Sequence, residues 1–520
     1  MRWLEHDRLI DRLPGQAERI SGSRQVSAAA WAAVWPTPVP EPVIVAHDDE
    51  LLSRLGISPL LLQDPGFAQV MGGCALYAGM TPWAHNYGGH QFGHWAGQLG
   101  DGRAITLGEV GDADGRRWEI QLKGAGPTPF SRNGDGRAVL RSSLREYVAS
   151  LAMHALGIPT TRAPLLLTTG GQVVRDRLYD GHPEPEPGAI VVRAASSFLR
   201  IGSLQLPASR GEHELTRGLI DLAIDRHYPA LGRSPDRIGE FFVAVARASA
   251  HLVAEWERVG FIHAVLNTDN VHLGGLTVDY GPFAWMEAFD PDHTPNTSDA
   301  GGRRYRFGAQ PAMMRWNLAA LAQALAPLVQ DLHPFTEGLN AFDACLADRR
   351  QQQACARLGV ADASRAMALK KRWERLMHAA ALDMTLAWRA LGRFHAGSRS
   401  GGLPSLLLAE AITDRPRFAE QVEALGAWLE DYRACLVAEG RAPGDRRRAM
   451  ETVNPWFVPR NWTMQQAIDS ASAGDWTPLQ RLCQAALQPY TEDAAFADLV
   501  APCPDHLREH PGCSRLSCSS

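Results

Sequence analysis

Apolar positions alternate between glycine turns in the first part of the chain and recur at helical spacing in the second. RAITLGEV (103–110) and RWEIQLKG (117–124) predict two strands joined by a turn in GDADGR. SSLREYVASLAMHALG (142–157) changes to helical periodicity and predicts a helix capped by Ser142 and stopped at Gly157. APLLLTT and QVVRDRLY flank Gly170–Gly171, which predicts a hairpin turn there, and AIVVRAASSFLRIG predicts a further strand running into a turn. Beyond 211, ELTRGLIDLAIDRHY, RIGEFFVAVARASAHLVAEWERVG and RWNLAALAQALAPLV read as helices. A polar stretch over 261–305 interrupts them, and helices resume over 312–440.

This order predicts an α+β fold of two lobes with a cleft between them. Residues 1–85, short helical stretches with proline-rich connectors, read as an N-terminal extension. Residues 86–210 form a small mixed β lobe with one key helix, where a nucleotide would bind. Residues 211–487 form a large helical lobe carrying a catalytic and metal loop at 261–300, and 488–520 read as an extended, cysteine-containing tail.

Composition narrows the function classes. A net charge of −5 with no long single-sign run argues against a nucleic-acid binder. MRWLEHDRLIDRL mixes arginines with acids and has no apolar run, unlike a targeting segment. No apolar stretch reaches membrane-spanning length, so a soluble cytoplasmic protein is expected. The eight cysteines form no CxxC pair, and three of them, Cys503, Cys513 and Cys518, crowd the C-terminus. Only Lys123, Lys370 and Lys371 are lysine among 52 basic residues, so the ammonium at 123 stands out as a compact point charge.

Three clusters carry candidate chemistry. Gly97–Arg103 (GQLGDGR) precedes a strand, where glycines let backbone N–H groups approach a phosphate and Arg103 adds charge. Lys123 ends the next strand and Glu146 sits 23 residues on, in the helix, the relation in which a protein kinase aims its phosphate-gripping lysine. FIHAVLNTDN (261–270) and Asp279-Tyr280-Gly281 follow the spacing of a kinase catalytic loop and its Asp-Phe-Gly motif. Counting from His263 puts Val265 where a kinase has its catalytic aspartate. Valine accepts no proton, so Asp269 is the nearest replacement base, while Asn270 and Asp279 are candidate oxygen ligands for a divalent cation. The fold is therefore expected to be protein-kinase-like. Asn133–Arg137 (NGDGR), Arg193 and Arg200 are further candidates for the cleft. His85, His90 and His94 lie in a glycine-rich segment without a carboxylate or cysteine partner, and no metal site is expected there.

YGGHQFGHWAGQLGDGRA, QLKGAGPTPFSRNGDGRAVLRSSLREY, RAASSFLRIGS, NTDNVHLGGLTVDYGPF, NPWFVPRN and the terminal SCSS, in this order, resemble the selenoprotein O family of protein adenylyltransferase pseudokinases. The resemblance implies AMP transfer from ATP, bound in the reverse of the kinase orientation, to Ser, Thr or Tyr hydroxyls of proteins, with UMP transfer from UTP as a second activity. By position, Gly100, Gly102, Arg103, Lys123, Asp135, Gly136, Arg193 and Arg200 would hold the nucleotide and Glu146 would orient Lys123. Asn270 and Asp279 would bind Mg²⁺ or Mn²⁺, and Asp269 would accept the proton. Cys518 matches the family's redox-active position, but Pro295 stands where some members carry the partner cysteine. Two alternatives use the same residues: a nucleotide-binding scaffold without catalysis, and a conventional kinase with a displaced base.

Overall fold

The computed structural model describes residues 2–6, 8–177, 180–232, 234–398, 402–508 and 510–517. Its largest sheet runs, in spatial order, Gly15–Gln16, Trp31–Ala33, Trp83–His85, Ala104–Gly111, Arg117–Lys123, Pro183–Ala195, Arg162–Asp176 and Val43–His47. All these neighbours are antiparallel except the first pair. The two-residue strand periodicity sorts the sheet's faces. Ile120, Leu122, Ile190 and Val192 point to the back, where they pack with Leu51, Leu52, Phe67 and Val70. Glu119, Gln121, Lys123 and Arg193 occupy the alternate positions, with Arg193 registered opposite Gln121.

Residues ahead of 86 thus supply strands on both sides of this sheet and, through helices Asp49–Arg54 and Pro65–Met71, its apolar cover. Strands of two to five residues are too short for alternation to reveal them in a single sequence.

Two local expectations are corrected. Gly170–Gly171 is not a hairpin turn: Arg162–Asp176 runs through it as one strand with a bulge between Thr168 and Gln172. Gly170 adopts φ +72°, and an added Cβ would lie 2.7 Å from that of Glu41, so the glycine serves a bulge under a crossing segment. The helix expected from Ser142 begins earlier, spanning Leu140–Ala155 with Val139 as its cap; Ser142 instead donates to the Val139 carbonyl. Its stop stands as expected, with Gly157 at φ +78°.

The helical lobe is built on Arg237–Val259, Gln310–Leu325, His333–Leu358, Ala363–Ala379 and Arg415–Glu439. One continuous apolar core joins it to the Leu140–Ala155 helix, so the two lobes share a hydrophobic interior through that element. No helix among the described residues is long and apolar enough to cross a membrane. Past 487 the chain makes short turns and packs back on the helical lobe. Leu516 donates its N–H to the Pro295 carbonyl at 3.0 Å and accepts from Thr297 at 2.8 Å. The tail therefore lies against the loop that follows Asp-Tyr-Gly. Cys518 lies outside the described residues.

Candidate functional site

Between the lobes lies a cleft of about 720 Å³. Its roof is the Gly97–Arg103 turn. Gly100 takes φ +74° against Phe130, whose ring would be 2.3 Å from an added Cβ. The roof is stitched to the following loop: Thr128 donates to the Asp101 carbonyl at 2.7 Å and Ser131 to that of Gly102. In the NGDGR loop, Gly136 at φ +67° passes so close to Gly126 that an added Cβ would stand 2.1 Å from its backbone. Asp135 accepts from both terminal nitrogens of Arg175 at 2.7 and 2.8 Å.

Charge converges on the back of the cleft. Lys123 Nζ meets Glu146 Oε2 at 2.5 Å, both nearly buried, which is the strand–helix pair expected from their spacing. Arg193 donates to Asp279 at 2.9 Å and lies 3.4 Å from Glu146. Arg200 reaches the other oxygen of Asp279 at 2.5 Å and also the Asp269 carbonyl at 2.9 Å. Lys123 is 3.6 Å from Asp279. Three cations thus converge on Glu146 and Asp279, and their N–H donors suit phosphate oxygens. Burial pushes the Asp279 carboxyl up, but Arg200, Lys123 and Arg193 outweigh it and hold it well below the usual range. Burial lowers the Lys123 ammonium, and Glu146 and Asp279 offset part of that. Arg103 lines the same cleft.

The floor comes from the 261–281 segment. His263 Nε2 lies 3.0 Å from the Val278 carbonyl, tying the two motifs together. Tyr280 is buried against Phe261 and Phe283, so its neighbour Asp279 turns into the cleft. Asp279 has φ +58°, a left-handed conformation that Asp tolerates better than most residues. Val265, Asp269 and Asn270 all line the cleft. Asp269 is almost enclosed. One oxygen accepts from Gln91 at 3.0 Å, while Oδ1 is buried without a partner among the described residues. Burial raises its carboxyl to about 6, with Gln91 and Arg200 pulling the other way. A carboxylate with that affinity for a proton has the character of a general base.

The structure brings every predicted residue of the cleft to its wall or within direct contact of it. It also adds residues that sequence reasoning missed. Tyr87 donates to Asp101 at 3.1 Å, and Gln121 reaches the other Asp101 oxygen at 2.8 Å, which closes the network behind Arg200. Gln91 sits on a hairpin of Gly88–Gln91 and His94–Gln98 that folds over the floor. Thr268 accepts from the His90 N–H at 2.7 Å, and Asn267 from the Phe92 N–H at 3.2 Å. The signal was present in the unusual YGGHQFGHW string, but its partners lie more than 170 positions away. Of the three histidines, His85 bonds Glu119 at 3.1 Å inside the sheet and His90 packs on Trp95 and Trp316.

Comparison with known proteins adds independent findings. Residues 21–487 match the family model described as protein adenylyltransferase SelO. A protein of Xanthomonas campestris pv. campestris (strain 8004), named protein nucleotidyltransferase YdiU, is 50% identical over 517 residues, 99% of each chain. Its namesake from Xanthomonas oryzae pv. oryzae (strain MAFF 311018) is 48% identical over 520 residues, again 99% of each. Among solved structures, ROP2 from Toxoplasma gondii, described as a virulence factor with a protein-kinase fold and no enzymatic activity, aligns at 12% identity. That alignment covers 63% of this chain and 96% of the other, with a TM-score of 0.24.

Proposed function

The chain belongs to the SelO family of protein adenylyltransferases, and on that premise we propose that it transfers AMP from ATP to Ser, Thr or Tyr hydroxyls of other proteins. The observation that carries this reading is the pairing of Val265 with Asp269. The position that supplies a kinase's base is apolar, and the enclosed carboxylate four residues on has a raised affinity for protons. Lys123, Arg193 and Arg200 grip phosphate oxygens, and Glu146 keeps the flexible ammonium aimed. Asp269 takes the proton from the acceptor hydroxyl. The freed oxygen attacks the α-phosphorus, the bond to the β-phosphate oxygen breaks, and pyrophosphate departs with its electron pair. This requires ATP bound with its α-phosphate toward the acceptor, the reverse of a kinase. UTP, which differs only in the base, would follow the same path with UMP transferred.

Asn270 and Asp279 fit a divalent cation such as Mg²⁺ or Mn²⁺. Asn270 spends its amide N–H on the Val265 carbonyl at 2.9 Å, which leaves its oxygen as a ligand, and Asp279 keeps lone pairs beyond its two guanidinium contacts. Bound there with the nucleotide, such a cation supplies charge neutralisation at the phosphates.

The test is incubation with Mg²⁺ or Mn²⁺ and ATP labelled separately at the α- or γ-phosphate. Protein-bound label from the α position alone is expected. Label from the γ position would make the protein a kinase, and none from either would leave a scaffold. A second expectation concerns the NGDGR loop. Gly136→Ala forces the loop off Gly126 at a strain of about 1–3 kcal/mol. ATP binding should therefore weaken about tenfold, measured by calorimetric titration.

A further inference from the structure

Outside the cleft, a second cavity of about 440 Å³ opens where helices Arg237–Val259 and His333–Leu358 meet the carboxyl end of the Glu146 helix. Three guanidiniums line it, from Arg258, Arg349 and Arg357, against the single carboxylate of Glu255. That carboxylate is already engaged by Arg258 at 2.6 Å, Arg349 at 3.0 Å and Gln353 at 3.0 Å. Arg258 is otherwise satisfied by the Val453 and Leu156 carbonyls and by Tyr490.

Arg357 differs. It is only 3% exposed, and its side-chain contacts among the described residues are Nε to the Asn454 amide oxygen at 2.9 Å and the face of Trp388, 3.7 Å away. No carboxylate pairs with it among the described residues. Arg357 lines the cavity, and its outer nitrogens make no hydrogen bond among the described residues. A guanidinium largely withdrawn from water favours a counter-charge, because Asn454 and the Trp388 face return only part of the hydration the ion loses. Burial lowers its affinity for the proton to about 9, and the field of Glu374 offsets only part of that.

We propose that this cavity is an anion site that takes a small phosphorylated molecule, with the phosphate held by Arg357 and Arg349 and the remainder lying in the cavity beside Gln353 and Tyr490. The outer nitrogens of Arg357 match the oxygens of a phosphate group, Arg349 adds charge beside them from a guanidinium whose outer nitrogens bond Glu255 and Gln352 at 3.0 and 3.1 Å, and the volume leaves room for a compact organic portion. A carboxylate would compensate only one positive charge, whereas the wall holds three guanidiniums against one Glu. The cavity shares the Glu146 helix with the cleft, since Leu156, just past its end, accepts from both Arg258 and Tyr490 at 2.9 and 3.0 Å.

Inorganic phosphate and glycerol 3-phosphate serve as probes, titrated calorimetrically into full-length protein saturated with a non-hydrolysable ATP analogue, so that the catalytic cleft is filled. Saturable binding of one equivalent is expected. Arg349→Gln, at the partly exposed rim, and Arg357→Met, in the wall, should each weaken it about tenfold or more. Circular dichroism establishes whether Arg357→Met folds, and if it does not, the rim variant decides. Absence of saturable binding by either probe, or binding that Arg349→Gln leaves unchanged, overturns the assignment. Loss of analogue binding to wild type would instead strike the reading of the main cleft, which keeps the two failures distinct.

Discussion

Asp279→Asn is expected to cut AMP transfer by about 10²–10³-fold while ATP binding measured without a divalent cation holds or tightens. Asparagine is chosen because it tolerates the left-handed backbone at this position, φ +58°, so the effect isolates the charge. In the free enzyme, Asp279 is the anion on which Arg200, Arg193 and Lys123 converge at 2.5, 2.9 and 3.6 Å. Its loss leaves Arg200, buried to 1% exposure, with Asp101 as the nearest carboxylate at 4.0 Å. Breaking a buried pair in this way costs about 3–5 kcal/mol, so the melting temperature of the unliganded variant should fall. Phosphates can then take the place of the missing carboxylate, and the stabilisation that ATP confers should exceed that of the wild type. Scanning calorimetry with and without ATP, beside a transfer assay, reads both signs. Unchanged unliganded stability would mean that the three cations do not depend on Asp279, and intact transfer would remove it from the reaction.

That dependence explains which parts of the site were legible in the sequence. Lys123 with Glu146, and His263 with Asn270 and Asp279, sit on elements that follow one another along the chain: a strand end and the next helix, and one tight loop with the segment after it. Each pair lies within about two dozen positions on consecutive elements, so a fixed spacing along the chain marks it. The contacts that complete the site are of another kind. Gln91 meets Asp269 from 178 positions away, and Arg200 meets Tyr87 from 113. No periodicity encodes such pairings; only the packing of one segment on another does. The same limit applies to the sheet, whose outer strands are two to five residues long and drawn from the first fifty positions. Gly170–Gly171 failed for a different reason: a positive φ serves a bulge as well as a turn, and which one forms depends on Glu41 crossing above it. The helical lobe was read more faithfully because long amphipathic runs carry their own register, as Arg237–Val259 does from its first residue to the stop at Gly260.

Asp269→Asn should lower transfer by about 10²–10⁴-fold with ATP affinity unchanged, the loss expected when a positioned base is removed. The amide is nearly isosteric, and its oxygen can still accept from Gln91, so the hairpin over the floor keeps its anchor. What disappears is the lone pair on Oδ1, the atom that is buried without a partner among the described residues. The wall around it is tight: an added Cβ on Gly89 would stand 2.8 Å from that oxygen. The site is therefore shaped for the shorter carboxylate, and Glu at 269 should not substitute. A purely structural role for Asp269 would show the same loss, so chemical rescue separates the two. Asp269→Ala opens a cavity the size of a carboxylate, and added formate should restore part of its rate by supplying the missing base. The same formate should do nothing for Asp279→Asn, where the lost carboxylate counters charge and takes no proton, being held well below the usual range by its three cations. Transfer by Asp269→Asn at the wild-type rate would move the proton acceptor elsewhere. With Val265 apolar, the acceptor would then have to be the leaving phosphate or water, and the mechanism would need no side-chain base at all.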